Sequence, residues 1–313
     1  MHEGNIMTVR GPIEPEAITA RVPHEHVLHS FGKPATTNAQ YDRDHVREIA
    51  LPALRGLAEL GCNALAECTT EYFGRAPSHL RELAEETGVY IITNTGYYGA
   101  AQDRYVPEHA FSESAEQLAD RWTAEWEEGI GDTGIRPGFI KIGVDHPAPI
   151  SEIDAKLVRA AGLTHLRTGL VMEVHSPKDG ALGAAELDIL EGVGVAPSAW
   201  IWVHADTVED VEPVVDAAKR GAWVEFDSVR ENNIDDRVAR LTRFRDEGLL
   251  GRVLLSHDES SYLPERTEPA AAHRTVFTHL LPRLRAEGFG DAEITRLTVE
   301  SPRQAFAVGV RRV

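Results

Sequence analysis

Cysteine is nearly absent from this chain. Cys62 and Cys68 are the only two, too few for a disulfide framework, so both are read as reduced and structural. No run of 18 or more apolar residues occurs, which excludes a transmembrane helix. The opening MHEGNIMTVRG lacks the apolar stretch of a signal peptide, with Met7 as an alternative start. Basic residues are in deficit, 32 Lys and Arg against 50 Asp and Glu, for a formal net charge of −18 at pH 7. Nucleic acid and anionic membrane both require basic surface, so neither is expected as a partner. There is no internal repeat, low-complexity tract or interdomain linker. The remainder, 313 residues with 42% hydrophobic content, describes a cytoplasmic single domain, 1–313, of a size that barrels often reach.

Apolar strand-like runs alternate with amphipathic helical stretches. Strands are expected at 22–28, 63–67, 89–95, 138–144, 170–175, 200–204, 222–227 and 252–257, each followed by a helix. Ser78 is the expected N-cap of the second helix, Ser112 opens the one over 113–129, and Ser151 opens the next. NIMTVRGPI reads as a short extended cap before the first strand, and a helix over roughly 291–308 ends the chain. Eight β–α units predict an α/β fold, the (β/α)₈ TIM barrel. A doubly wound open sheet uses the same alternation, but no G-x-G-x-x-G turn follows the first strand. It would also spread strands one and eight over tens of ångströms, at about 4.8 Å per neighbour.

That separation matters because possible metal ligands recur at strand ends. His24 and His26 flank Glu25; residues i and i+2 of a strand share a face, so two imidazoles converge. Lys141 in GFIKIGVD, His175 in LVMEVHS, His204 in WIWVHAD and Asp258 in RVLLSHDE follow. Histidine and carboxylate ligands around an open position make a hydrolytic metal site. Burial and nearby metal would lower the proton affinity of Lys141, leaving a nucleophilic amine. It would then add carbon dioxide to become a bridging carbamate, or form a Schiff base with a carbonyl substrate; the surrounding histidines favour the carbamate. One carbamate and one aspartate give about −2 against about +4 from two divalent ions, and a bridging hydroxide leaves about +1 to polarise a substrate oxygen. Four imidazoles with two oxygen donors are expected to take zinc first, with manganese, cobalt or iron as alternatives. Asp258 is placed to bind metal and to take the proton during attack.

Other residues read more plainly. His257 points to the opposite strand face; His29 and His146 read as loop residues, and His273 joins no constellation. Glu25 should face the helices, and Asp227 could orient a ligand imidazole or water. The tryptophans read as packing, and Arg230 could reach the barrel mouth.

Across TVRGPI, PHEHV, CTTEYFGR, TNTGYY, GFIKIGVD, EVHS, WVHAD, EFD, LLSHD and ITRLTVESPRQAF, the chain resembles the phosphotriesterase-like family of the amidohydrolase superfamily. The resemblance implies a barrel with a binuclear site. His24, His26 and Asp258 would bind the more buried ion and His175 and His204 the more exposed one, with carboxylated Lys141 between them. It also implies Tyr98 at the metal pair, in the manner of the lactonase branch, and it allows a homodimer. Efficient phosphotriesterases carry a histidine just after the seventh-strand aspartate; here Ser228 follows Asp227, which argues against that activity. The expected reaction is attack by a metal-bound hydroxide on a small lactone or carboxylic ester. Amide or organophosphate triester hydrolysis at the same site is the alternative. A metal-free Schiff-base lyase or aldolase using Lys141 is the rival from another class.

Overall fold

The eight expected runs all form strands: Arg21–Leu28, Ala64–Glu67, Tyr90–Ile92 with Asn94–Thr95, Phe139–Gly143, Met172–His175, Trp200–Val203, Trp223–Phe226 and Val253–Leu255. The structure is a computed structural model that describes residues 2–30 and 41–313. Most of the polar loop expected after the first strand therefore lies outside the described residues. Each strand pairs in parallel with the next in chain order. The third strand changes partner at Thr93, where its first half pairs with the second strand and its second half with the fourth. Between strands eight and one, Asp258 N donates to His24 O at 3.1 Å and His26 N to Glu259 O at 2.9 Å. The short strand Ser260–Tyr262 then pairs in parallel with the first strand, Ser260 opposite His26. This is the strand order of a (β/α)₈ barrel, and it places the first and last ligand segments side by side.

The N-terminal cap is a hairpin, Ile6–Thr8 against Gly11–Ile13. Ile6 and Ile18 join Phe139, Val171, Ile201, Trp223, Leu254 and Phe306 in one buried cluster, so the hairpin and the closing helix pack where the strands begin. A larger apolar cluster lies between strands and helices and includes Trp122, Trp200 and Trp202, as the packing reading requires. Cys62 and Cys68 are buried and unpaired. Among the described residues no helix is long and apolar enough to cross a membrane.

Two expected caps are displaced. The second helix starts at Pro77 with Ala76 as N-cap, so Ser78 lies inside its first turn; proline's fixed φ pre-forms that first position. Residues Glu108–Ser112 form a short helix of their own, and Ser114 caps the next, Ala115–Glu128, in a capping box with Gln117. Ser151 caps Glu152–Thr168 as expected.

Candidate metal centre

At the C-terminal strand ends a cavity of about 390 Å³ is lined by His24, His26, Lys141, His175, His204, Asp258 and Tyr98, with His29, Phe73 and Ser260. All seven residues singled out in the sequence thus meet in one place. His26 Nε2 lies 3.3 Å and His24 Nε2 3.5 Å from the same oxygen, Asp258 Oδ1. His204 Nε2 is 4.0 Å from Asp258 Oδ2 and 2.7 Å from His175 Nδ1. Three ligand atoms from His24, His26 and Asp258 lie within 4.8 Å of one another, as do three from His24, His204 and Asp227. Such a set is able to hold a divalent ion.

The distal ring nitrogens of His24, His26 and His204 are engaged too, which fixes how these imidazoles face the cavity. His204 Nδ1 donates to Asp227 Oδ1 at 2.6 Å, and Asp227 Oδ2 accepts the His204 backbone N–H at 2.9 Å, the orienting role expected of Asp227. His26 Nδ1 meets Thr69 Oγ1 at 2.8 Å. Thr69 is held through Asn94, whose Nδ2 donates to Thr69 O and Glu67 O. Two lining residues, His204 at φ 61° and Asp258 at φ 52°, sit in the left-handed region, where a non-glycine residue is strained and must be held by its surroundings.

Burial drives two of the imidazoles toward neutrality. It pushes His24 down to about 4, helped by Lys141, and His175 well below its ordinary value, helped by His204. Burial also disfavours charge on Asp258, but hydrogen bonds from His24 and His26 overcome it and hold the carboxyl well below the usual range. His24 and His175 are therefore offered as neutral imidazoles beside an ionised carboxylate, the states a cation needs, while at His204 burial is outweighed by Asp227, which raises its proton affinity.

Lys141 differs from the expectation in depth. It occupies the middle of Phe139–Gly143 rather than its end, and its long stem brings Nζ up to the cavity. The side chain is 1% exposed, and Nζ has no hydrogen-bond partner among the described residues. Gly96, at φ 120°, lets the third strand pass over it: a Cβ there would lie 2.0 Å from Lys141 O. The same turn delivers Tyr98, whose ring stacks on Phe73 (centroids 5.2 Å, 18°) and meets His175 edge-on at 5.1 Å. Tyr97 turns away, its hydroxyl 3.1 Å from His109 Nε2.

His29 is a loop residue as expected but also faces the site, and His273 belongs to a cluster the sequence did not show. His29 lines the cavity with Nε2 2.7 Å from Ser260 Oγ. His273 joins Glu25 and His257: Glu25 Oε2 accepts from His273 Nδ1 at 2.6 Å, and Oε1 from His257 Nδ1 at 2.6 Å. Glu25 also accepts from Ser256 Oγ, His257 N and Glu259 N, so one buried carboxylate ties strand one to strand eight and its loop. Arg230 does not line the cavity; it donates to His257 O and Asp258 O. His146 is an exposed loop residue, as read. Glu173 and Glu225 were missed altogether. Both lie behind His24, and each sits two residues before a site residue, in EVH and EFD. That i, i+2 spacing was the available signal.

Glu25 carries a prediction. Burial opposes its ionisation, but His273 and His257 overcome this and hold it well below the usual carboxylate range. A depressed folded value means stability that is present above the unfolded pKa of about 4.3 and lost as pH falls through the folded one. Glu25→Ala is expected to cost roughly 3–5 kcal/mol in urea unfolding at pH 7, because it orphans several buried donors. The gap between wild type and Glu25→Gln should narrow below about pH 4; a constant gap from pH 7 to pH 3 would contradict the ionised carboxylate.

The model of the phosphotriesterase family matches residues 4–306. A phosphotriesterase homology protein of Escherichia coli (strain K12) is 30% identical over 257 residues, covering 81% of this chain and 86% of that one. An N-acetyltaurine hydrolase of Danio rerio is 25% identical over 348 residues, covering 96% and 97%. An aryldialkylphosphatase of Saccharolobus solfataricus is 22% identical over 280 residues, covering 85% and 88%.

Proposed function

Since the chain belongs to the phosphotriesterase family and is a hydrolase, we propose that it cleaves small uncharged lactones or carboxylic esters with two divalent ions. One observation carries the reading: four histidines, a buried lysine and an aspartate from five strands line one cavity. His24, His26 and Asp258 would hold one ion and His175 and His204 the other, with zinc first and manganese, cobalt or iron accepted by the same donors. Lys141 supports a bridging carboxylate. A buried amine without a hydrogen-bond partner is a costly group, and carbon dioxide addition would turn it into an anion placed between two cations. When bound, the ions supply an acidified water and a Lewis acid for the carbonyl oxygen. Asp258 takes the proton of the attacking water as the new C–O bond forms. It returns that proton to the leaving alkoxide as the acyl–oxygen bond breaks. Tyr98 and Phe73 form an aromatic wall for the acyl portion.

The lining favours a neutral substrate. Among the described residues it contains no cation other than Lys141. Arg230 and Arg266 point donors at backbone carbonyls of His257, Asp258, Ser260 and Ser261. Similarity to N-acetyltaurine hydrolases favours acyl amides as the second reading, although among the described residues the cavity lining holds no arginine for a charged substrate. Metal analysis of protein purified without chelator should give about two divalent ions per chain, followed by turnover of lactones and esters in a series of leaving-group pKa. Less than about half an ion, with nothing gained from zinc or manganese with bicarbonate, would overturn the metal reading. Turnover of acyl amides alone would overturn the ester reading.

A further inference from the structure

Behind His24, on the side away from Asp258, the barrel interior carries titratable side chains where aliphatic ones would pack at no desolvation cost. His24 Nδ1 lies 3.2 Å from Glu225 Oε2 and 3.5 Å from Glu173 Oε2, with Asp227 Oδ2 at 3.9 Å. Both glutamates are 0% exposed. A register shift between Val22 and Glu25 puts one extra residue into the first strand, which brings Arg21 to the same interior as His24. Arg21 is 1% exposed and lies over the Phe306 ring, and among the described residues its guanidinium nitrogens have no hydrogen-bond partner. Cys68 Sγ donates to Glu173 Oε2 at 3.0 Å. The neighbouring sixth strand fills its interior positions with Ile201 and Val203. Two carboxylates buried beside it, at several kcal/mol each when uncompensated, call for a reason beyond packing.

His24 supplies one. Its ring has a single proton when neutral, and a carboxylate at Nδ1 draws that proton there. Asp258 Oδ1, 3.5 Å from Nε2, competes for that proton in the metal-free chain, and a cation beside Asp258 would leave the proton to Nδ1 and the Nε2 lone pair to the metal. A hydrogen-bond acceptor at Nδ1 also makes the imidazole a stronger donor to a cation. His26 has only the Thr69 hydroxyl at the corresponding nitrogen, and His204 has Asp227. The two ligand groups are therefore backed by different carboxylates, Glu225 behind His24 and Asp227 behind His204.

We infer that Glu225 is a positioning residue for His24, setting the affinity of the ion that His24, His26 and Asp258 would hold. The inference rests on the metal reading above, and the experiment separates the two. Full-length wild type, Glu225→Gln and Glu225→Leu are loaded with cobalt and bicarbonate and titrated with a chelator while cobalt absorption is followed. Thermal melting of the metal-free forms runs alongside. Glu225→Leu should weaken one of the two ions about 10–100-fold and leave the other within about threefold. Glu225→Gln, isosteric and still a hydrogen-bond acceptor, should weaken the same ion by less and decides the matter if the leucine variant does not fold. Metal-free melting should hold or rise, because a buried carboxylate has gone. Lower melting with an unchanged chelator titration would mean a structural role only and would overturn the proposal, as would equal weakening of both ions. A wild type that takes up no cobalt removes the metal reading itself.

Discussion

Lys141→Ala is expected to emerge from purification with most of its metal gone and its hydrolysis down by about a hundredfold or more, as loss of a bridging anion requires. Acetate or propionate at millimolar concentration should restore part of both. The reasoning starts from the position of the side chain. Lys141 is buried mid-strand, between inward-facing Gly143 and Phe139, and Nζ reaches the cavity without a hydrogen-bond partner among the described residues. Truncation removes a group that contributes little to folding, so the metal-free variant should melt no lower than metal-free wild type. It also leaves space for a short carboxylate at the level where His24, His175 and His204 converge. Unchanged metal content would refute the bridging role. Unchanged metal together with borohydride trapping of a carbonyl ligand in the wild type would point to Schiff-base chemistry instead.

Much of this site was legible because its elements are local. Period-two alternation fixes which side chains share a strand face, so His24 with His26, and the strand-end positions of His175, His204 and Asp258, followed once eight β–α units had been counted. Lys141 was found by type, but its depth was not, because strand ends are blurred by one or two residues and a four-carbon stem spans a full layer of the barrel. Ser78 and Ser112 were misplaced as caps for a local reason: Pro77 pre-forms the first helical position, and Ser114 makes the reciprocal box with Gln117. The Glu25–His257–His273 cluster was out of reach for the opposite reason. It joins residues up to 248 positions apart, and no spacing rule links them. Glu173 and Glu225 were readable in principle. A charged residue on the inward face of a barrel strand is expensive, and its presence two residues before a site residue is itself a signal.

Asp258→Asn is expected to lower kcat by about 10²–10⁴-fold while leaving KM within a few-fold and the metal-free fold intact. Preservation of the fold follows from the backbone. Asp258 N donates to His24 O, and Asp258 O accepts from Arg230 Nη2 at 3.3 Å. Asparagine tolerates the left-handed φ of 52° as readily as aspartate. Loss of turnover follows from the carboxylate, whose Oδ1 faces His24 and His26 at 3.5 and 3.3 Å and which is partly open to the cavity. An amide cannot take the proton of the attacking water or hand it to the leaving oxygen. The two halves of that role separate by leaving group. A nitrophenyl ester releases a stable aryl oxide and needs no proton delivery, so it should lose less than an alkyl ester or lactone, whose alkoxide does. The aspartate-to-asparagine penalty should therefore grow with leaving-group pKa. A uniform penalty across the series would confine Asp258 to accepting the water's proton, and near-normal turnover of alkyl esters would remove it from the mechanism.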